Sequence, residues 1–370
     1  MGWPLRQTLA QIQRGIEEGL QLGAQLYVSL GGDVLANEAL GEVRPGIPMQ
    51  VDTSLFWFSC TKPITAVAVA QLLERGLLDL HEPVRQVIPE FGSAGKEGVT
   101  LWHLLTHTGG FRTANPTDLS LSWERTIADI CASPLEPGWV PGRKAGYHHT
   151  ASWYILGELV QRRTQRRFAD YVREEILLPL GMNQSWMAIP PDELAALGDR
   201  AGEFFEMRPG EPTRTPISPR EPDLTACRPG SSARGPVREL GIFLEMLRNG
   251  GLAKSGKILR PETIELMRYR HRQGLYDETF QQYIDWGLGF LLNTRHPGQS
   301  VLSYGYGEHA SEQTFGHGGM QTSVAFVDPK NELVVAWICN GMCGERLHRQ
   351  RNHAINTAIY EDLGLDAGRP

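Results

Sequence analysis

The 370-residue sequence predicts an α/β layer, an antiparallel sheet flanked by N- and C-terminal helices, interrupted by a large, mainly all-α insertion. Three observations predict it. The amino end reads as a helix followed by a hairpin, and the carboxyl end as a hairpin followed by a helix. Between them runs a long stretch of helical spacing and loops. The α/β layer is therefore assigned to residues 1–60 together with 284–370, and the insertion to 61–283.

Each element follows from local chemistry. Leu9, Ile12, Ile16 and Leu20 recur at helical spacing among polar residues, which predicts the first helix. Residues 24–30 and 34–43 read as strands joined through Gly31, Gly32 and Asp33, a hairpin. An aromatic, extended run from Leu55 ends at Ser59; beyond Pro63 an apolar helix runs toward Gly76, with the proline where no intrahelical N–H partner is needed. Within the insertion, a short helix is expected over 100–107, and longer ones over 153–161, 168–178 and 239–248. Residues 205–236 hold seven prolines, too many for regular structure, and are assigned as a loop acting as lid or pocket rim. A strand over 286–292, a hairpin of 323–328 with 332–340, and a helix over 347–363 complete the chain.

Composition narrows the class. Apolar content of 41% and charged content of 21% are ordinary for a globular protein, and a net charge of −6 argues against a nucleic-acid surface. No run of about 18 apolar residues exists, so no membrane span is expected. The amino terminus shows helical spacing rather than a signal peptide's apolar core. The five cysteines, Cys60, Cys131, Cys227, Cys339 and Cys343, form no paired motif; a cytoplasmic protein with reduced thiols is the expectation.

Three stretches carry chemistry. At the start of the helix beyond Ser59, Lys62 stands three residues on, so a hydroxyl and an ammonium share one face at the positive end of a helix. Alone the pattern is weak: a serine there is also an ordinary cap, and Ser93 with Lys96 repeats the spacing in a Gly-rich turn read as loop. The second stretch is Gly146-Tyr147-His148-His149, just before the helix at Trp153. The third is Phe315-Gly316-His317-Gly318-Gly319-Met320. His103 and His107 have the i, i+4 spacing of a zinc pair, but Leu104 stands where a zinc protease has glutamate, and no metal or other cofactor is expected. Trp57, Phe58, Trp123 and Phe315 are read as packing residues.

With these motifs in order the sequence resembles the serine beta-lactamase-like superfamily, in its class C-like branch, which includes class C beta-lactamases, family VIII carboxylesterases, D-amino-acid amidases, D-alanyl-D-alanine carboxypeptidases and lovastatin-type acyltransferases. The segment TLWHLLTHTGGF from Thr100 and the run from Pro179 to Met182 match the family as well. The resemblance implies Ser59 as nucleophile, Lys62 as the cation that lowers its proton affinity and shares the base role, and Tyr147 as proton relay. It implies an oxyanion hole of the Ser59 and Met320 N–H groups, and substrate contacts at His149, His317, Gly318 and Gly319. Two departures point away from beta-lactams: His149 replaces the family's asparagine, and His317 replaces the lysine of Lys-Thr-Gly. The expected activity is a serine hydrolase acting on small esters, or amides, through an acyl-enzyme. Acyl transfer to an alcohol or amine, and D-amino-acid amidase or peptidase action, are the alternatives; a non-catalytic sensor or scaffold is the alternative of another class.

Overall fold

In the computed structural model, residues 5–114, 118, 121–207, 212–215, 225–254, 256–299 and 301–366 are described. The chain opens with α1 (Arg6–Glu17), then β1 (Gly23–Leu30), β2 (Asp33–Arg44) and the short β3 (Ile47–Pro48). A 3₁₀ turn, Phe58–Thr61, leads directly into α2 (Lys62–Glu74). The middle of the chain holds α3 (Leu101–Leu105), α4 (Trp123–Ala132), α5 (Ala151–Thr164), α6 (Phe168–Val172), α7 (Pro191–Ala196), α8 (Val237–Arg248) and α9 (Pro261–Arg268). It closes with β4 (Leu291–Leu292), β5 (Phe315–Gly319), β6 (Ser323–Asp328), β7 (Leu333–Cys339) and α10 (Glu345–Asp362).

These strands form one antiparallel seven-stranded sheet, in the order β4-β5-β6-β7-β1-β2-β3. The two ends of the chain meet at the β1–β7 pair, in register from Ala24 opposite Cys339 to Leu30 opposite Leu333. Strand β7 explains the layering. Leu333, Val335, Trp337 and Cys339 belong to one core with Ile12 of α1 and Ile355 and Ile359 of α10. Val334, Ala336 and Ile338 belong to the other, with α2 and α8. Side chains of a strand alternate between faces, and both faces here are covered, so the strand is apolar throughout rather than half polar.

Two elements differ from the sequence expectation. The helix at 239–248, assigned to the insertion, is α8 and packs on β1, β6 and β7. Its apolar side, with Leu240, Phe243, Leu244 and Leu247, covers the inner sheet face. The strand over 286–292 is regular only at Leu291–Leu292. Gly289 turns the chain at φ +81°, where a Cβ would stand 2.5 Å from that of Ala66 in α2; close approach to the central helix replaces extension.

Residues 208–211 and 216–224 of the expected lid lie outside the described residues. The flanking parts are pinned: Phe205–Glu206 pairs with Thr213–Arg214, and Arg234–Gly235 with Leu55–Phe56. Among the described residues, no helix is long and apolar enough to cross a membrane. All five cysteines are unpaired.

Candidate active site

Helix α2 is apolar all round and buried from Lys62 through Leu72, lying between sheet and helical lobe. Such a helix carries whatever begins it into the interior, and what begins it is Lys62. Its Nζ donates to Ser59 Oγ at 2.9 Å and to the Gly230 carbonyl at 2.9 Å, with the Tyr147 and Trp153 rings 5.1 and 5.3 Å away. The Tyr147 hydroxyl donates to the same Ser59 Oγ, also at 2.9 Å. Residues 59, 62 and 147 therefore converge on one oxygen.

Burial sets the protonation of this cluster. Desolvation holds the Lys62 amine well below its usual 10.5, and it pushes the Tyr147 phenol well above 10. Burial therefore favours the uncharged form of each partner, the amine of Lys62 and the phenol of Tyr147. The Cys60 thiol beside them is pushed up to about 12 by burial and donates to the His317 carbonyl at 3.2 Å.

The turn that carries Ser59 is held to strands β5 and β6 of the sheet. Phe58 sits at φ +49°, a left-handed conformation that a phenylalanine adopts only when its surroundings impose it. Ser323 Oγ on β6 donates to the Trp57 carbonyl at 3.0 Å. Gly319 at the end of β5 lies so near that a Cβ there would meet the Trp57 carbonyl oxygen at 2.5 Å. Met320, which follows Gly319 at this seam, lines the same cavity as Ser59.

Ser59, Tyr147, His149, His317, Gly318 and Met320 all line one cavity of about 580 Å³. Phe56, Phe58, Phe280, Trp286 and Tyr304 supply aromatic walls, with Arg228 and Ser231, from the expected pocket-rim segment, on one side and Glu345 on another. Gly319 is used in the seam rather than in the lining. His149 stands exposed at the mouth, edge-on to the Tyr147 ring at 5.0 Å. His317 is buried; its Nδ1 lies 2.7 Å from the Gly318 carbonyl, and desolvation, with the field of Lys62 second, lowers its pKa to about 3.

The other histidines and the second serine–lysine pair have local duties. His103 closes the cap of α3, with the Thr100 N–H donating to its Nδ1 at 3.0 Å. The His107 ring instead packs against Tyr147, so the two rings of the candidate zinc pair part company. Ser93 and Lys96 both donate to the Cys131 carbonyl, at 3.2 and 3.0 Å, tying a loop to α4.

Sequence reasoning missed the groups behind Tyr147. Asp277 Oδ1 accepts from the N–H groups of Tyr147, Thr279 and Phe280 at 3.1, 3.0 and 3.0 Å. Its other oxygen pairs with Arg272 at 3.0 Å, with both side chains fully buried. Nothing in the local pattern around residues 272–277 marks them, because their partner lies 130 residues away.

The family model for Beta-lactamase matches residues 10–359. The chain belongs to the beta-lactamase family. Among this family's curated members, esterase EstB of Burkholderia gladioli is 28% identical over 379 residues, covering 95% of this chain and 94% of its own. A penicillin-binding protein homologue from Caulobacter crescentus superposes with a TM-score of 0.80 at 25% identity, covering 97% of both chains. A family VIII carboxylesterase superposes at 0.79 and 23% identity, covering 98% of both, a likeness of fold. The beta-lactamase-family assignment accounts for the antiparallel sheet, the helical lobe and the cavity between them.

Proposed function

We propose that this beta-lactamase-family chain is a serine hydrolase of small esters, with Ser59 as nucleophile. The observation that carries the reading is the convergence of Lys62 Nζ and the Tyr147 hydroxyl on Ser59 Oγ, each at 2.9 Å, at the wall of an aromatic cavity. Burial favours the neutral amine of Lys62, and with its lone pair turned to the Ser59 hydroxyl, in place of the N–H donated at rest, that amine is a competent base. Lys62 takes the Ser59 proton as the oxygen bonds to the ester carbonyl carbon, and the N–H groups of Ser59 and Met320 receive the oxyanion. The carbon–oxygen bond to the leaving alcohol then breaks, and Tyr147 passes a proton to the departing alkoxide while regaining one from the Lys62 ammonium. Water repeats the sequence on the acyl-enzyme and releases the acid. Because Tyr147 is held neutral, its part is relay rather than resting anion.

Substrate class follows from charge and shape. With its pKa near 3, His317 is neutral at pH 7 and offers no fixed cation for a substrate carboxylate, which favours neutral esters over beta-lactams. His149 at the mouth contacts the acyl or alcohol portion, together with Gly318. The name of EstB, an esterase over nearly the whole chain, supports the same class. Acyl transfer shares the first half-reaction; a monacolin J acid methylbutanoyltransferase of Aspergillus terreus, 28% identical over 265 residues, gives that second reading its support. Unpaired thiols support a reducing, cytoplasmic setting.

The test is mass spectrometry of the intact protein and its peptides after exposure to short-chain esters, amides and beta-lactams. An acyl adduct on the Ser59 peptide with esters, absent in Ser59→Ala, is the expected result. Ester turnover that persists in a folded Ser59→Ala protein would overturn the assignment.

A further inference from the structure

We infer that His107 is a positioning residue, one that sets the Tyr147 phenol against Ser59; the inference rests on the proton-relay reading of Tyr147. His107 follows the end of α3 and is completely buried. Its φ of +57° is left-handed, a conformation in which glycine is free and asparagine tolerated. A histidine kept at such a position implies that its side chain is needed there.

What the side chain does is visible in the residues on either side of Tyr147. The His107 carbonyl accepts the Gly146 N–H at 3.0 Å, and its Nδ1 accepts the His148 N–H at 3.0 Å. The Tyr147 N–H, between them, goes to Asp277, and the Tyr147 carbonyl accepts from Thr279 Oγ1 at 3.1 Å. Backbone N–H groups at 146, 147 and 148 are thus all fixed, two of them by His107. The imidazole also packs on the phenol ring, with centroids 4.6 Å apart, and on Trp286 at 4.5 Å. With the backbone pinned, this tilted ring packing limits the remaining rotation of the side chain about χ1 and χ2. Accepting at Nδ1 requires the neutral tautomer with the proton on Nε2, and burial keeps the ring neutral. A phenol oxygen must stand within hydrogen-bonding reach of Ser59 to move a proton, and displacement by about 1 Å costs on the order of a hundredfold in rate.

The experiment compares His107→Gly, His107→Asn and Tyr147→Phe in the full chain, with kcat and KM measured on 4-nitrophenyl acetate and folding checked by thermal unfolding. Glycine keeps the carbonyl and suits the left-handed backbone but removes the ring. It should lower kcat by roughly ten- to a hundredfold with KM held within about threefold. Asparagine tolerates the same backbone and offers Oδ1 to the His148 N–H, so it should restore kcat to within about threefold of wild type. A folded glycine variant with unchanged kcat, or an asparagine variant as impaired as the glycine one, overturns the inference. Where the glycine variant fails to fold, the asparagine variant decides. Near-wild-type kcat supports positioning, and a folded protein as slow as Tyr147→Phe refutes it. Full activity in Tyr147→Phe would bring down both the relay reading and this one. A slow Tyr147→Phe beside a fast His107→Gly removes this one alone.

Discussion

Lowering the pH from 7 to 5 should cost this fold about 4 kcal/mol through two histidines alone. His317 in the cavity lining and His148, next to Tyr147 in the chain, are both buried, and desolvation first brings each from 6.5 to about 3. At pH 5 both rings are neutral in the folded chain, whereas in the unfolded chain they are almost fully protonated. The unfolded state then binds more protons, so stability is fully present above about pH 6.5 and is lost as pH falls toward 3. Each ring contributes RT ln(1 + 10^1.5) at pH 5, about 2 kcal/mol, with little remaining at pH 7. Against a total stability of roughly 5–15 kcal/mol this is a large share. His107 and His348, held well below 6.5 by burial, act in the same direction, while Glu239 and Glu38, raised by burial, act in the opposite one. Urea unfolding followed by fluorescence of the nine tryptophans at pH 7, 6 and 5 measures it. The variant His317→Gln should flatten the dependence by about 2 kcal/mol. A stability unchanged between pH 7 and 5 would refute the neutral buried imidazole, and with it the argument that the cavity lacks a fixed cation at residue 317.

Substitutions at three residues test the site and its supports. Lys62→Met should leave the fold stable while lowering kcat/KM by on the order of 10²–10⁴, whereas Lys62→Arg should destabilise it by several kcal/mol, because a guanidinium cannot shed its charge inside α2's buried start; chemical denaturation beside steady-state kinetics separates the two. Asp277→Asn leaves the fully buried Arg272 without its anion and should cost about 3–5 kcal/mol in unfolding free energy. Gly319→Ala should slow acylation in a stopped-flow burst assay, since its Cβ would push on Ser323 and on the Trp57 carbonyl next to Ser59; an unaltered burst would show that the seam is slack.

The ends of the fold were legible because their signals are local: apolar runs bounded by turn residues for the strands, and helical spacing for α1. The placement of α8 was not legible. Its amphipathic pattern states that one side is buried, not whether sheet or helix covers it. At residues 286–292 the β-like composition was outvoted by Gly287, which lies against the Met267 carbonyl, and by Gly289, which lies against Ala66 of α2. Ser59, Lys62 and Tyr147 were readable as a constellation only through their ordered motifs, since 88 residues separate the hydroxyls that meet. Their protonation could not be read that way. The motif suggests an ammonium, but the charge on Lys62 is decided by what surrounds it, which is Ser59, a carbonyl and two aromatic rings.

That same environment explains why the chemistry sits where helical lobe and sheet adjoin. A lysine whose neutral form is favoured needs a dry interior, while the proposed nucleophile needs access from outside. Helix α2 supplies the first by being apolar all round. The strained turn at Phe58 supplies the second by ending the buried run and turning Ser59 into the cavity. Tyr147 must then reach the same oxygen from the helical lobe, on a strap that belongs to no helix or strand. A strap lacks the repeating hydrogen bonds that hold an element rigid, so its precision comes from His107, Asp277 and Thr279. Loosening any of these three should therefore degrade the rate before it degrades ester binding, because the cavity walls are carried mostly by other residues.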